Sequence, residues 1–236
     1  MRRTACVLTC AGLLASAAGA QLGSMDLLTA MELDLVRAEF RGNGESSVVG
    51  RIWGAPKGPA EVTLEPGTQF WAQLGDGLGL GQGGGNRLFG QPGAGGGLNQ
   101  LGGGRQGMGL LGDNRIDLGG DRYAEVVLPT ACTNIGLPAP TRRDAMVAVR
   151  CPDPRVARVA SLYGQPDVHP AAVQVAVWAV ANDPPAKPIS QYLQKAVKLS
   201  LKADPESTVT AGSLLEQAAQ LLRRADVDPG LYRVFE

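Results

Sequence analysis

Two cysteines, Cys132 and Cys151, carry the sulfur chemistry of this chain once its N-terminal segment is set aside. The other two cysteines, Cys6 and Cys10, lie within residues 1–20, which have the pattern of a cleaved leader. Disulfides persist in the oxidising compartments that exported proteins reach. Because an even number of cysteines remains, the sequence predicts a disulfide between Cys132 and Cys151.

Gln174 is the second residue whose surroundings suggest chemistry. It is the only hydrophilic side chain in residues 171–181, which read AAVQVAVWAVA. A helix that is apolar on every face is a buried helix, so Gln174 is expected inside the protein with hydrogen-bond partners there. Two interpretations stay open: a core glutamine that bonds to loop backbone, or a covalent partner for a cysteine. Trp178 lies one turn later on the same side, where it could cover Gln174.

The run Val173-Gln174-Val175-Ala176-Val177-Trp178, downstream of Cys132, resembles the Q-x-A-I-W helix of the thioester domains in bacterial surface adhesins. In those domains a cysteine thiol joins the side-chain carbonyl of the glutamine with loss of ammonia, and a host amine can attack the thioester. The resemblance covers residues 132–178. It implies that Cys132 supplies the thiol, Gln174 the acyl group and Trp178 the shield against water. Cys132 then has two competing partners, Cys151 and Gln174.

Acid–base catalysis, metal binding and cofactor chemistry find little support in the composition. His169 is the only histidine, and beside Pro170 at a predicted helix start it is expected to be a surface or capping residue. One histidine and two cysteines separated by 18 residues do not supply the paired ligands of a structural zinc site. We therefore predict no catalytic residue, no metal site, no cofactor and no enzymatic activity.

Residues 1–20 have the three parts of a bacterial secretory signal peptide. Arg2 and Arg3 form its positive start, residues 4–18 its apolar region, and Ala18-Gly19-Ala20 suits a signal peptidase. The mature chain is predicted to begin at Gln21 and to be secreted or periplasmic. No later stretch approaches the roughly 20 apolar residues of a membrane span, so no transmembrane segment is expected in the mature chain.

The charge balance gives no sign of a polyanionic partner. The chain has 22 basic and 22 acidic residues, and only Arg2 and Arg3 among them lie in the leader. The mature chain is thus nearly neutral, and nucleic-acid binding is not expected. A protein or a cell surface is the expected partner.

Strand-like patterns precede the cysteine pair and surround a glycine-rich tract. Apolar residues alternate in short runs between turn residues, which predicts strands at 31–40 (with a bulge), 48–53, 62–64, 70–72 and 123–128. Residues 75–120 hold 20 of the 33 glycines and predict a disordered insertion between two strands. Residues 21–150 are therefore expected to form an antiparallel β-sandwich with this insertion.

Helical periodicity follows Cys151. The predicted helices span 154–163, 170–182, 189–202 and 213–225, and Ser213 with Glu216 has the spacing of a capping box at the start of the last one. Residues 151–236 are expected to form a bundle of about four helices in an α+β chain. The predicted function is an exported, non-catalytic binding or structural module of the cell envelope or extracellular space. The alternative is a thioester domain that attaches covalently to a surface amine.

Overall fold

The computed structural model describes residues 23–73, 105–120 and 122–236. The predicted signal peptide, the predicted start at Gln21 and residues 75–104 of the predicted insertion lie outside the described residues. The described part is an α+β structure with strands in its N-terminal portion and most of its helices in its C-terminal portion.

Nine strands occur in the described residues: β1 Ser24–Asp26, β2 Val36–Gly42, β3 Ser47–Gly54, β4 Glu61–Leu64, β5 Gln69–Ala72, β6 Met108–Leu110, β7 Asn114–Asp117, β8 Tyr123–Cys132 and β9 Ala145–Val149. Six of them close into a barrel in the order β2-β3-β8-β6-β5-β9. The other three form a small sheet in the order β1-β4-β7.

Five α-helices occur in the described residues: α1 Leu27–Glu32, α2 Pro154–Ala160, α3 Pro170–Asn182, α4 Ala186–Ala203 and α5 Ala211–Arg224. Two short 3₁₀ helices, Pro229–Leu231 and Arg233–Phe235, follow them. None of the helices in these described ranges combines the length and the apolar character that crossing a bilayer requires.

The predicted β-sandwich is wrong, because the main sheet closes on itself. Strand β9 pairs with β5 along one side and with β2 along the other, through the pairs Phe40–Met146 and Arg41–Ala145. A sandwich and a barrel share the same alternation of buried and exposed residues along each strand, so alternation cannot separate them. Inside the barrel the rings of Phe40 and Phe70 pack with their centroids 5.0 Å apart.

The predicted strand at 31–40 is half wrong. Residues 27–32 form helix α1, whose N-cap Asp26 accepts a hydrogen bond from the backbone N–H of Thr29. The alternation of Met31, Leu33 and Leu35 is not a buried strand face, since the side chain of Leu33 is 58% exposed. Only the second half of the prediction corresponds to a strand, β2.

The predicted insertion is too long at its C-terminal end. Strands β6 and β7 lie within residues 75–120, and Met108 and Leu110 are completely buried in the barrel. Their glycine neighbours conceal the pattern, because Gly107 and Gly109 leave only three apolar side chains in residues 107–111. At Gly107 an added Cβ would lie 2.6 Å from the ring of Trp71, so the close packing requires glycine there.

The helices do not form a separate four-helix bundle. Helix α3 packs against β8 of the barrel and against α2, α4 and α5, and one continuous hydrophobic cluster includes residues of the barrel and of the helices. The span of α3 agrees with the predicted 170–182. The capping box of α5 is formed by Thr210 and Ser213 rather than by Ser213 and Glu216, because the helix begins at Ala211.

Two glycines with left-handed backbone provide a matched test of this packing. Gly67 has φ +82° and an added Cβ would lie 2.7 Å from Cα of Ala157 in α2, whereas Gly44 has φ +89° and nothing within 4 Å. Gly44→Ala is expected to lower the free energy of unfolding by about 1–2 kcal/mol, the cost of the left-handed conformation. Gly67→Ala should add about 1–3 kcal/mol of overpacking to that loss. Urea unfolding of both variants measures the difference, and equal losses would contradict the docking of α2 on this turn.

Candidate functional site

Cys132 and Gln174 are in direct contact in the structure. The backbone N–H of Cys132 donates to Oε1 of Gln174 at 2.9 Å, and Nε2 of Gln174 donates to the carbonyl oxygen of Cys132 at 2.8 Å. Both residues are buried, with Gln174 only 7% exposed. The expectation of a buried, hydrogen-bonded Gln174 is confirmed, and its partner is the end of a strand.

The end of β3 explains why a glutamine is needed at this position. Pairing of β3 with β8 ends at Ser47 and Pro129, three residues before Cys132. On the opposite side of β8, the backbone N–H of Thr133 donates to the carbonyl of Gly107 in the segment that leads into β6. Successive residues of an antiparallel strand direct their N–H and C=O groups to opposite sides. The N–H and C=O of Cys132 therefore face away from β6. The primary amide of Gln174 supplies the donor and the acceptor that another strand residue would have supplied.

The two cysteine thiols are free and have different environments. The thiol of Cys132 donates to the carbonyl of Glu45 at 3.2 Å, and that of Cys151 donates to the carbonyl of Asp153 at 3.0 Å. Cys132 ends β8 and Cys151 follows β9, and these strands are separated by two others in either direction around the barrel. A disulfide needs Cα atoms within about 6.8 Å of each other. That distance exceeds the spacing of two neighbouring strands but is shorter than two such spacings, and β8 and β9 are three spacings apart. The predicted disulfide is therefore absent from this structure.

Burial suppresses ionisation of the Cys132 thiol. Desolvation, followed by the nearby charge of Glu45, raises its pKa from 9.0 to about 12. Burial also raises the pKa of the half-buried Cys151 thiol. Since the thiolate is the reactive form, Cys132 is held as a poorly nucleophilic thiol at neutral pH.

Alkylation can test this ranking of the two thiols. In the native chain at pH 8, we expect iodoacetamide to modify Cys151 at least about tenfold faster than Cys132, because thiolate fraction and access both favour the less buried sulfur. In denaturant the two rates should become equal. Peptide mass mapping over time gives both rates, and faster native modification of Cys132 would contradict its burial.

A cavity of about 700 Å³ adjoins the Cys132–Gln174 pair. It lies between the end of β8 and helices α3 and α4, and its wall includes Cys132, Gln174, Trp178 and Tyr192. The rings of Trp178 and Tyr192 meet edge to face with their centroids 4.8 Å apart. Trp178 thus lies one turn from Gln174 on the same side of α3, as its spacing in the sequence predicts.

Three polar atoms of the cavity-lining residues are buried without a hydrogen-bond partner in the described part of the chain. They are Nε1 of Trp178, Oγ1 of Thr130 and Oε1 of Gln106. The residues are 6%, 2% and 9% exposed. Each of these atoms has almost no surface that a water-sized group can reach. The cavity is a candidate binding site because of its volume and its mainly aliphatic and aromatic wall.

His169 has a structural role at the start of α3. Its Nδ1 accepts from the backbone N–H of Ala171 at 3.1 Å, and its Nε2 lies 3.3 Å from Oγ of Ser200. Burial lowers the pKa of the ring. The expectation of a capping residue is confirmed. Within the described ranges, no three His, Cys, Asp or Glu side chains cluster in a way that could hold a metal ion.

Sequence reasoning missed several residues of the cavity wall. Gln106 and Glu45 reach it from loops, and Thr130 lies on a strand whose register the sequence does not reveal. Tyr192 could have been found, because it lies on the same face of its predicted helix as Ile189 and Ala196.

Fold and site together define a closed-barrel α+β protein with a partly aromatic cavity between its sheet and helical layers. Comparison with protein-family models, with curated proteins and with solved structures finds no match to this chain. Its function must therefore be inferred from the geometry of its own residues.

Proposed function

We propose that this chain is an exported, non-catalytic binding module of the cell envelope or extracellular space, and that it binds its ligand in the cavity between β8, α3 and α4. The observation that carries the proposal is the cavity of about 700 Å³, whose wall is mainly aliphatic and aromatic with a few polar side chains. Such a volume and such a mixture of apolar wall and few polar groups are typical of small-molecule sites.

The electrostatics of the site favour binding over catalysis. Cys132 is held as a thiol by a pKa raised to about 12, and the ring of His169 is engaged at the N-terminus of α3. A nucleophile needs its ionised form or an adjacent base to react. The cavity wall therefore suits recognition of a ligand better than chemical attack on it.

Ligand-observed NMR tests the binding proposal. Saturation-transfer spectra of a fragment library should reveal fragments that bind the wild-type chain. Ala196 is a half-buried cavity residue on α4, so Ala196→Phe should abolish their signals by filling the space. Ala203→Phe, on the exposed end of the same helix, is the matched control and should preserve them. Fragments that bind both variants equally well would place binding elsewhere and overturn the proposal.

Export is tested separately by N-terminal sequencing of the chain recovered from a secreting host. We expect a sequence that begins at Gln21, because Ala18-Gly19-Ala20 suits cleavage after residue 20. A stable cytosolic product that retains Met1 would contradict export.

The second candidate function is covalent attachment through a Cys132–Gln174 thioester, and the contact between these residues favours it. The thiol would add to the side-chain carbonyl carbon of Gln174, the C–N bond would break, and ammonia would leave with the thiol proton. The backbone N–H of Cys132, which already donates to Oε1 of Gln174, would stabilise the negative charge that develops on that oxygen. Trp178 in the same wall would limit the access of water.

Intact mass distinguishes the covalent states of the mature chain. A thioester lowers the mass by about 17 Da through loss of ammonia, whereas a Cys132–Cys151 disulfide lowers it by about 2 Da. For a thioester, methylamine should abolish the deficit, and Cys132→Ala and Gln174→Ala should lack it. Cys151→Ala is the matched control and should retain it. A chain at full mass that does not react with methylamine would eliminate the thioester candidate.

A further inference from the structure

Helix α4 has a second apolar stripe that the core does not cover. Ile189 and Leu193 face the core and are buried. Tyr192, Ala196 and Leu199, spaced four and three residues apart, line the cavity instead. The first two are half-buried, and Leu199 is 58% exposed. Because apolar surface gains free energy when it is removed from water, this stripe is available for a ligand to cover.

The cavity is long in the direction of helix α3. Pro170 and Trp178 of α3 both line it, and they are eight residues apart on one face of the helix. At a rise of 1.5 Å per residue the cavity therefore extends about 12 Å along α3. Leu111 and Ile135 continue the apolar wall from the barrel side. A space of this length and character suits a hydrocarbon chain.

Formal charge is confined to the mouth of the cavity. Among its lining residues in the described part of the chain only Glu45 and Lys195 are charged, and they form an ion pair at 3.7 Å. Their side chains are 67% and 65% exposed, so both charges remain hydrated. Since the two signs are present together and exposed pairs interact weakly, the mouth accepts a polar head group of either sign or of none.

The interior of the cavity disfavours polar and charged groups. The backbone of Cys132 and the amide of Gln174 bond to each other, and the unpaired polar atoms of the wall have almost no accessible surface. Burial raises the pKa of both Cys132 and Tyr192, which shows that a negative charge is unfavourable there. A charged group of a ligand would lose its hydration in this interior without gaining a partner.

We infer that the cavity binds a free single-chain amphiphile, with its hydrocarbon chain inside, between α3 and α4, and its head group at the mouth beside Glu45 and Lys195. The inference rests on the proposed binding function and adds the chemical class of the ligand. Affinity comes from the apolar surface that the chain covers, and the hydrated head group sets the direction in which the chain enters.

Calorimetric titration with hexanoate, octanoate and decanoate, below the concentrations at which they form micelles, tests the role of the chain. The Kd is expected to fall about fourfold for each added methylene, the ratio that the burial free energy of one CH₂ group sets. A Kd that does not depend on chain length would overturn the inference.

Two further compounds of the same chain length test the orientation. Octanedioate carries a second carboxylate at the far end of the chain, which would have to enter the apolar interior. Its Kd should be at least about tenfold higher than that of octanoate. Octyl glucoside has an uncharged head group and should bind within about tenfold of octanoate, because the head group stays in water. Octanedioate binding as tightly as octanoate would contradict the orientation.

Two exposed leucines of α4 provide a matched pair of variants. Leu199 lines the cavity and Leu201 is not among its lining residues, and their side chains are 58% and 42% exposed. Leu199→Ser should raise the Kd of octanoate at least about threefold by removing apolar contact, whereas Leu201→Ser should leave it unchanged. Neither residue belongs to the core, so both variants should fold, and thermal unfolding verifies this.

A pair of tryptophan substitutions tests whether apolar contact is sufficient. Trp178→Phe keeps a ring in the wall and should raise the Kd of octanoate less than about threefold, because its indole N–H is out of the reach of a ligand. Trp53→Phe, on the outer face of the barrel, should have no effect. A tenfold rise in Trp178→Phe alone would mean that the N–H binds the ligand and would overturn recognition by apolar contact.

The outcomes separate this inference from the proposed function. If octanoate and decanoate do not bind but library fragments bind and are lost in Ala196→Phe, the cavity is a binding site and its ligand class is wrong. If the amphiphiles bind equally well to wild type, Leu199→Ser and Ala196→Phe, they bind elsewhere and the inference fails. If neither amphiphiles nor fragments bind, the proposed function and the inference fail together.

Discussion

Replacing Gln174 by methionine is expected to lower the free energy of unfolding by about 2–6 kcal/mol, because it leaves two buried backbone groups unpaired at about 1–3 kcal/mol each. The groups are the N–H and the C=O of Cys132, which bond to Oε1 and Nε2 of Gln174 at 2.9 and 2.8 Å. Methionine has nearly the same length and shape, so the cavity that it creates should be small. Urea or guanidinium unfolding measures the change.

Gln217 provides a matched control for this substitution. Its side-chain amide also makes two backbone bonds, accepting from His169 N–H at 2.9 Å and donating to the carbonyl of Asp167 at 2.6 Å. Gln217 is only half-buried, so water can replace its bonds and Gln217→Met should cost only about 0.5–1.5 kcal/mol. Equal losses in the two variants would contradict the view that Gln174 completes the buried end of β8.

Raising the pH above 9 is expected to destabilise the chain through the thiol of Cys132. Its pKa is about 12 in the folded chain, raised chiefly by burial, against 9.0 as the ordinary value. Between these values the folded chain binds more protons than the unfolded chain, so the free energy of unfolding falls as the pH rises. The contribution of this one group should approach about 1.4 kcal/mol per pH unit in that window.

The difference between wild type and Cys132→Ala isolates this contribution from other groups that titrate at high pH. Between pH 9 and 10.5 the free energy of unfolding should fall more steeply with pH in the wild type than in Cys132→Ala. The two slopes should differ by up to about 1.4 kcal/mol per pH unit, the value for one titrating group. Cys151→Ala should reduce the slope less, because the half-buried Cys151 is less desolvated. Parallel curves for wild type and Cys132→Ala would show that the thiol is not buried, or that Cys132 carries no titratable thiol.

Local patterns in the sequence predicted the spans of helices α2 to α5 closely, but they predicted neither the packing of those helices on the barrel nor the strand pairings. The continuous apolar run of α3 predicted both its span and its burial, since a single helix carries that information in its own residues. Closure of the barrel depends on β9 pairing with β2, about 100 residues earlier in the chain, and such pairings leave no local signal. Residues 108–110 were hidden because glycine alternates with their apolar side chains.

The site was predictable where one residue breaks a strong pattern. Gln174 stood out as a hydrophilic side chain in an apolar helix, and the resemblance of its surroundings to thioester domains directed attention to Cys132, which the structure places beside it. The cavity was not predictable, because its wall combines side chains from loops, a strand end and two helices. The reciprocal bonds of Gln174 also depend on the point at which β3 ends, which is a property of the whole sheet.

A nitrogen–proton correlation spectrum of the chain, recorded with and without a fragment that binds it in saturation-transfer spectra, tests the central claim most directly, since it reports the three tryptophan indoles and the side-chain amide of Gln174 together. Assignments come from the Trp178→Phe, Trp53→Phe and Gln174→Met variants. If the cavity is a non-covalent binding site, the Trp178 indole resonance should shift on saturation, the Trp53 resonance should stay fixed and the Gln174 amide pair should be present throughout. A Trp178 resonance that does not respond to the ligand, or a Gln174 amide pair that is missing from the wild-type spectrum, would contradict it.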